Sequence, residues 1–352
     1  MKIIILSLVY RFVRFLVTKV LYLIQKFFFM KKDLEPAVKF GDNSLARLNI
    51  LSGTLYEFEI PSNNGIEIYG MKFPSPLIGS SFKSDPNILD IWMKMGLGGL
   101  IFKTIMRNKR IGNPYPRLQD AYFNKKSGLF NSLGLPGMGV TDFLEYLKNT
   151  KLWKYERPLG ISIGGDDENE YLSNLLELDP FLKTNNKSYF YELNISCPNT
   201  KNGKSLCQDP NTLEILLKNI RKIINAPISV KISPDISDAL IRDIADLCNN
   251  HEKIIINAGN TQYKEPHQVG IKQSDFSMRG GGLSGSPLFE RTYEMVKILS
   301  EFNIPIIATG GISTIKHLSI LKNSGASLFG MASSLVIDPY CIPKIHSEIH
   351  KL

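Results

Sequence analysis

The sequence is poor in cysteine and lacks the spacings that bind structural metals. Cys197, Cys207, Cys248 and Cys341 are scattered through 352 residues. None belongs to a C-x-x-C pair, which argues against a zinc site. Four dispersed thiols do not make a disulfide framework, so the main body is expected in a reducing compartment. Acidic residues are missing from the first 32 positions, where Lys2, Arg11, Arg14, Lys19, Lys26, Lys31 and Lys32 all carry positive charge. The net charge is +9, but no helix-turn-helix, zinc-finger or RNP-like pattern goes with it. Nucleic acid is therefore the weakest partner for this basic chain, behind an anionic membrane or an anionic ligand. Internal repeats and low-complexity tracts are also missing.

What is present begins with an apolar segment, residues 3–30. Arg11, Arg14, Lys19 and Lys26 interrupt it, so it is not a clean span of about 20 apolar residues. Arg11, Arg14, Thr18 and Gln25 fall near one helical stripe, and most of the remaining surface is apolar. This pattern predicts a basic amphipathic helix lying in a membrane interface. A span with snorkelling basic side chains and a cleaved signal peptide are the alternatives, and no small-residue cleavage site follows the first apolar run. The expected location is membrane-associated, with the main domain on the cytoplasmic side of a cell membrane or at an organelle inner membrane. The expected divisions are a membrane-associating helix over 1–32, a connector and the start of a β-hairpin over 33–65, and one large domain over 66–352. The hairpin is expected to turn at Asn63-Asn64-Gly65, between extended runs at 54–60 and 65–72.

Beyond residue 72 short apolar runs alternate with helical patterns. The strand-like runs are 76–79, 99–104, 159–163, 189–194, 228–232, 253–257, 305–308 and 327–331. Helical runs are expected at 86–95, 141–148, 169–184, 211–224, 237–249, 288–301, 314–323 and 339–350. This alternation predicts an α/β fold, a (β/α)8 TIM barrel with an N-terminal apolar helical extension. A doubly wound open sheet would carry a glycine fingerprint after its first strand, and Gly79-Ser80-Ser81 is not one.

In such a barrel chemistry gathers where strands end. The fourth strand ends in Asn194-Ile195-Ser196-Cys197-Pro198-Asn199-Thr200. Amides there suit a planar substrate with imide and carboxylate groups. The thiol could be a base or nucleophile, or simply a buried inert cysteine. Lys103-Thr104 and Lys231 close the second and fifth strands, and a lysine inside an apolar strand is costly unless it meets a polar ligand. Asn131-Ser132 lies beside glycines. Asn260-Thr261 opens a long loop to Ser286, the kind that commonly binds ligands. Gly310-Gly311 and Ala332-Ser333 follow the seventh and eighth strands, where many barrels hold phosphate. With two strand-end lysines and no metal cluster, flavin mononucleotide (FMN) fits better than NAD.

The ordered motifs NISCPNT, VKISPD, GNPYPR, NSLGLP, GGLSGSPL and ATGGI resemble dihydroorotate dehydrogenase over roughly residues 66–345. The resemblance implies FMN as cofactor, dihydroorotate and orotate as substrate and product, and a place in pyrimidine biosynthesis. It implies Cys197 as the base that takes the C5 proton while a hydride passes from C6 to the flavin. Asn131, Asn194, Asn199 and Asn260 would hold the orotate ring, with Thr261 or Ser132 adding contacts. Lys103, Thr104, Ser162 and Lys231 would face the flavin, and Gly79, Ser80 and Ser81 would lie under it. Gly282, Gly310, Gly311, Ala332 and Ser333 would cradle its phosphate. Cys197, Lys103-Thr104 and NSLGLP resemble the soluble, fumarate-using type. GGLSGSPL and the apolar N-terminus resemble the membrane-bound type, which passes electrons to a quinone. That type tends to keep an arginine just after its GNP-x-PR motif, where this chain reads Leu118-Gln119-Asp120. A quinone is the favoured acceptor, because it must be met at the bilayer. The alternatives are a tethered fumarate-type or partner-coupled enzyme and a flavin enzyme for another dihydropyrimidine. A homo-oligomer is compatible with either.

Overall fold

The computed structural model describes residues 1–185, 187–196 and 206–349. Eight parallel strands close into a barrel. In chain order they are Leu77–Gly79, Gly99–Ile105, Leu159–Ile163, Tyr189–Asn194, Ile228–Ile232, Ile254–Ala258, Ile306–Thr309 and Leu328–Met331. The eighth pairs with the first, Gly330 against Ile78. Each expected run thus becomes a barrel strand, displaced by at most a residue or two at its ends. The reason is burial on both faces: Ile228–Ile232 and Ile254–Ala258 are buried at every position. Strands enclosed on both sides read as continuous apolar runs.

Five of the intervening helices start at a capping side chain. Asp85 accepts from the backbone N–H groups of Asn87 and Ile88, with Pro86 in the first turn. Asp167, Asp209, Ser237 and Thr314 each accept a backbone N–H in the same way. These caps satisfy donors that the first helical turn leaves without partners. The main core lies between the strands and the helices, with Leu213, Leu216, Leu217 and Ile220 on one helix all fully buried.

The hairpin is not where the sequence suggests. Strands Ile66–Ile68 and Met71–Phe73 pair around Tyr69-Gly70, both at positive φ. Residues Ser52–Leu55 form a short helix instead of a strand. Asn63-Asn64-Gly65 therefore mimics a hairpin signal within a connector. The hairpin closes the floor of the barrel. Ile68, Met71 and Phe73 pack with Ile78, Ile101, Phe190, Ile255, Ile307 and Leu328, and the Phe73 and Phe190 rings meet edge to face at 6.4 Å.

A second sheet, unforeseen in the sequence, belongs to the loop side. Leu118–Phe123, Lys126–Asn131, Gln262–Lys264 and Gly281–Gly285 form four antiparallel strands. The first two are joined by Asn124-Lys125, both in the left-handed region, the backbone of a tight hairpin turn. The long segment after Thr261 is thus largely ordered as two of these strands and two short 3-10 helices.

Before the barrel come helices Lys2–Phe27 and Glu35–Arg47. Glu35 of the second takes Arg117 Nε at 2.9 Å, so the GNPYPR segment helps hold the extension. The first helix is mounted with its polar stripe inward. Ser7, Thr18 and Gln25 are its buried residues. Ser7 Oγ donates to Asp338 Oδ2 at 2.7 Å and Tyr10 Oη to the Val336 carbonyl at 3.1 Å. Arg14 pairs with Asp120 at 3.0 Å, and Gln25 exchanges two hydrogen bonds with the backbone of Asp33. Leu8, Phe12, Phe15, Leu16 and Leu23 face outward. Among the described residues no helix is long and apolar enough to cross a membrane.

Candidate active site

The strand ends of the first, fifth, sixth, seventh and eighth barrel strands surround a cavity of about 460 Å³. Nine of the expected site residues line it: Ser80, Ser81, Lys231, Asn260, Thr261, Gly310, Gly311, Ala332 and Ser333. Gly310 and Gly311 have φ of +141° and +73°, conformations that side chains rarely adopt. They bring the backbone to the cavity wall. The hydroxyls of Ser80 and Thr309 are buried with no hydrogen-bond partner, although both residues line the same cavity. Buried polar groups normally have partners, so these two fit a site that receives a polar ligand.

Lys231 is held inside the barrel by a charged network. Its Nζ donates to Ser81 Oγ at 2.8 Å and stands 3.8 Å from Glu192 Oε1. Ser81 Oγ in turn donates to Glu192 at 2.5 Å, and Asn257 Nδ2 donates to the other Glu192 oxygen at 2.7 Å. Glu192 and Asn257 are fully buried. A buried charge survives only when it is paired and hydrogen-bonded, and here each partner meets that need for the other. Neither Glu192 nor Asn257 is among the site residues expected from the sequence. The signal existed: each interrupts an apolar strand as Lys231 does, and Asn257 is in register with Lys231.

The remaining expected residues form a separate polar cluster or lie nearby. Asn194 Nδ2 donates to Thr104 Oγ1 at 3.0 Å, and Thr104 and Ser162 hydroxyls are 3.0 Å apart. Ser196 Oγ donates to Asn194 Oδ1 at 2.9 Å. Asn260 Nδ2 reaches both Asn194 Oδ1, at 3.4 Å, and Ser196 Oγ. Asn260 therefore links this cluster to the cavity. Asn131 donates to the Gly282 carbonyl at 3.3 Å in the antiparallel sheet, and any side chain at Gly282 would collide with Thr261. The Ser132 hydroxyl is buried without a partner. Gly79 packs against Leu97 and Leu100 in the wall of the barrel. Cys197 and Asn199 lie outside the described residues. Cys207, Cys248 and Cys341 are free and buried, and burial pushes the last two thiols well above their usual range, so both are unreactive.

Lys103 does not line the cavity. Burial pulls its ammonium down to about 8, and the nearby Arg117 and Lys83 cations add to the shift. Lys83 itself is paired with Asp42 of the second helix. Lys83 and Asp42 also line a second cavity, about 240 Å³, between the N-terminal helices and the barrel. Its other walls are mainly apolar, including Leu6, Val9, Val13, Leu34 and Val38, with Arg14 beside them. The stretch where the quinone type tends to keep an arginine, Leu118-Gln119-Asp120, holds none, and its Asp120 pairs with Arg14 of the first helix at 3.0 Å.

Residues 65–352 match the family model described as dihydroorotate dehydrogenase. The chain belongs to the dihydroorotate dehydrogenase family. A relative from Methylobacillus flagellatus, named dihydroorotate dehydrogenase (quinone), is 31% identical over 90% of this chain and 95% of its own length. One from Malacoplasma penetrans, named dihydroorotate dehydrogenase B (NAD(+)), catalytic subunit, is 28% identical over 82% of this chain and 92% of its own. Among solved structures, the Eimeria tenella dihydroorotate dehydrogenase in complex with ferulenol has a TM-score of 0.73 at 22% identity. It covers 88% of this chain and 90% of that one, which speaks to the shared barrel. Dihydroorotate dehydrogenases are flavin enzymes. The partnerless hydroxyls and the two backbone-exposing glycines give the cavity what such a cofactor needs.

Proposed function

We propose that this protein oxidises dihydroorotate to orotate with FMN in the barrel cavity and passes the electrons to a membrane quinone. The observation that carries the reading is one polar chamber at the strand ends joining Lys231, Asn260 and the Gly310-Gly311 backbone in a chain of this family. Bound there, FMN would accept the hydride released from C6 of the substrate. Ser80, Ser81, Lys231, Thr309, Gly310, Gly311, Ala332 and Ser333 would hold it. The Lys231 ammonium would offset negative charge gained by the reduced ring. Asn131, Asn194, Asn199 and Asn260 would orient the substrate ring, an effect that lowers the barrier by removing orientational freedom. Cys197 would take the C5 proton as general base.

The second cavity favours quinone over fumarate or NAD. It is mainly apolar, it lies between the two N-terminal helices and the barrel, and much of the first helix's apolar surface, including Leu8, Phe12 and Leu23, faces outward. Such a surface fits the headgroup and acyl boundary of a bilayer, where a quinone dissolves. Residues 1–32 would thus be the membrane-associating part, 33–65 the connector and 66–352 the catalytic barrel.

The test offers dihydroorotate to the purified protein with a long-tailed quinone, fumarate and NAD in parallel. Quinone turnover should exceed the others by about tenfold or more, that is about 1.4 kcal/mol or more in effective barrier. Faster turnover with fumarate or NAD would favour a tethered enzyme of another acceptor class. Cys197→Ala should keep its flavin yet slow anaerobic flavin reduction by about 10²–10⁴-fold. Wild-type reduction rates in that variant would remove Cys197 from the chemistry.

A further inference from the structure

The flavin chamber draws one lining residue from the N-terminal extension. Besides Gly310, Gly311 and Ser333, its lining includes Asp338, Lys344 and Arg11 of the first helix. Arg11 lies one turn beyond Ser7 and next to Tyr10, the two residues that bind the helix to Asp338 and Val336. That segment directly follows Ala332-Ser333. The helix is thus fastened to the continuation of the eighth-strand loop.

Charge at this edge of the chamber is not balanced. Lys344 donates to Asp338 Oδ2 at 2.8 Å, so these two neutralise each other, and Lys344 also reaches Ser7 Oγ. Arg11 has no hydrogen bond or ion pair with any described residue. The other basic residue on this stripe, Arg14, is matched by Asp120. Arg11, exposed at the edge of the chamber, therefore adds a guanidinium without a protein partner to a lining that otherwise offers hydroxyls, backbone N–H groups and the Glu192-paired Lys231.

We propose that Arg11 binds the phosphate of the flavin, so that the helix with the outward apolar face also lends a residue to the cofactor site. This rests on the flavin reading above. A guanidinium presents paired donors that match phosphate oxygens, which an amide or a lone ammonium does not reproduce. Loss of the helix would then cost flavin retention as well as membrane contact.

The experiment uses full-length apoprotein titrated with FMN and with riboflavin, which lacks the phosphate, following quenching of flavin fluorescence. Wild type, Arg11→Gln, Arg11→Lys and Lys19→Gln are compared. Arg11→Gln should weaken FMN binding about tenfold, equivalent to about 1.4 kcal/mol, while leaving riboflavin binding unchanged. Arg11→Lys should fall between, and Lys19→Gln should match wild type. Unchanged FMN binding in Arg11→Gln overturns the proposal. Equal weakening toward riboflavin overturns it too, because the effect would not pass through the phosphate. Wild-type protein that takes up neither flavin would refute the flavin reading itself, an outcome distinct from both.

Discussion

The barrel and the first helix bury opposite kinds of side chain. On the barrel helix Pro210–Ile223, Leu216 and Leu217 are fully buried while Lys218 and Lys222 face water. On Lys2–Phe27, Ser7 is fully buried while Leu8 is 58% and Phe12 65% exposed. Both helices are amphipathic, so local sequence does not separate them. The difference lies in what each surface meets. The barrel helix closes an apolar core, which favours burial by about 25 cal/mol per Å² of apolar area. The first helix meets a barrel rim rich in carboxylates and carbonyls, with Asp338, Val336 and Asp120 all taking its polar groups. Ile3, Leu6 and Tyr10 pack partly against the core, but most of its large apolar side chains are left facing out. An outward patch of that extent marks an interaction surface.

The comparison breaks most visibly in a pair of matched truncations. Leu216→Ala should destabilise the protein by about 2–5 kcal/mol, because it leaves a cavity in packed surroundings. Leu8→Ala should change stability in water by no more than about 0.5 kcal/mol, as surface changes do. Denaturant melts of the two variants check this, and a large loss from Leu8→Ala would mean that its side of the helix is covered. A second experiment sharpens the role of that side. Phe12→Asp should weaken binding to anionic vesicles by about 10–100-fold, since one aromatic contributes about 1.5–3 kcal/mol when it leaves water. Cosedimentation reads the result, and undiminished binding would refute the membrane assignment.

The smallest expected effect concerns a polar group buried by the barrel itself. His346 on the last helix lies 2.9 Å from Ser75 Oγ and leaves its Nδ1 buried without a partner. Burial, assisted by Arg157, pulls the imidazole down to about 4. Its folded pKa lies below the unfolded value, so the neutral ring favours folding above about pH 6.5 and that stability is lost as pH falls toward 4. Between pH 6.5 and 5.5 the loss should be about 1 kcal/mol. His346→Gln should flatten the dependence in that window, whereas Ser7→Ala on the first helix should leave its slope unchanged. An unaltered slope in the His346 variant would assign the pH response to other groups.

Much of the site was readable because polar residues stand out at the ends of apolar strands. Lys231, Asn260 and the glycines after the seventh strand could be found that way, and the cavity joins them. Glu192 is inconspicuous because it lies inside its strand, two residues before the Asn194 motif. The antiparallel sheet is hard to read in the sequence for a different reason. Its first two strands alternate weakly, and the turn between them is Asn124-Lys125, without the glycine that usually announces one. The hairpin shows the reverse: a strong Asn-Gly signal lies in a connector, while the turn itself uses Tyr69-Gly70.

The amino-acid order alone determined the eight barrel strands and their helices, because a strand enclosed on both faces reads as a mainly apolar run and the helices between follow with their own apolar period, five of them behind a capping side chain. It also determined that the first segment would be an amphipathic helix. Which side of that helix would meet the protein was decided only in three dimensions. A polar stripe can face water or a polar partner equally well, and only the placement of Asp120, Val336 and Asp338 on the finished barrel turned it inward.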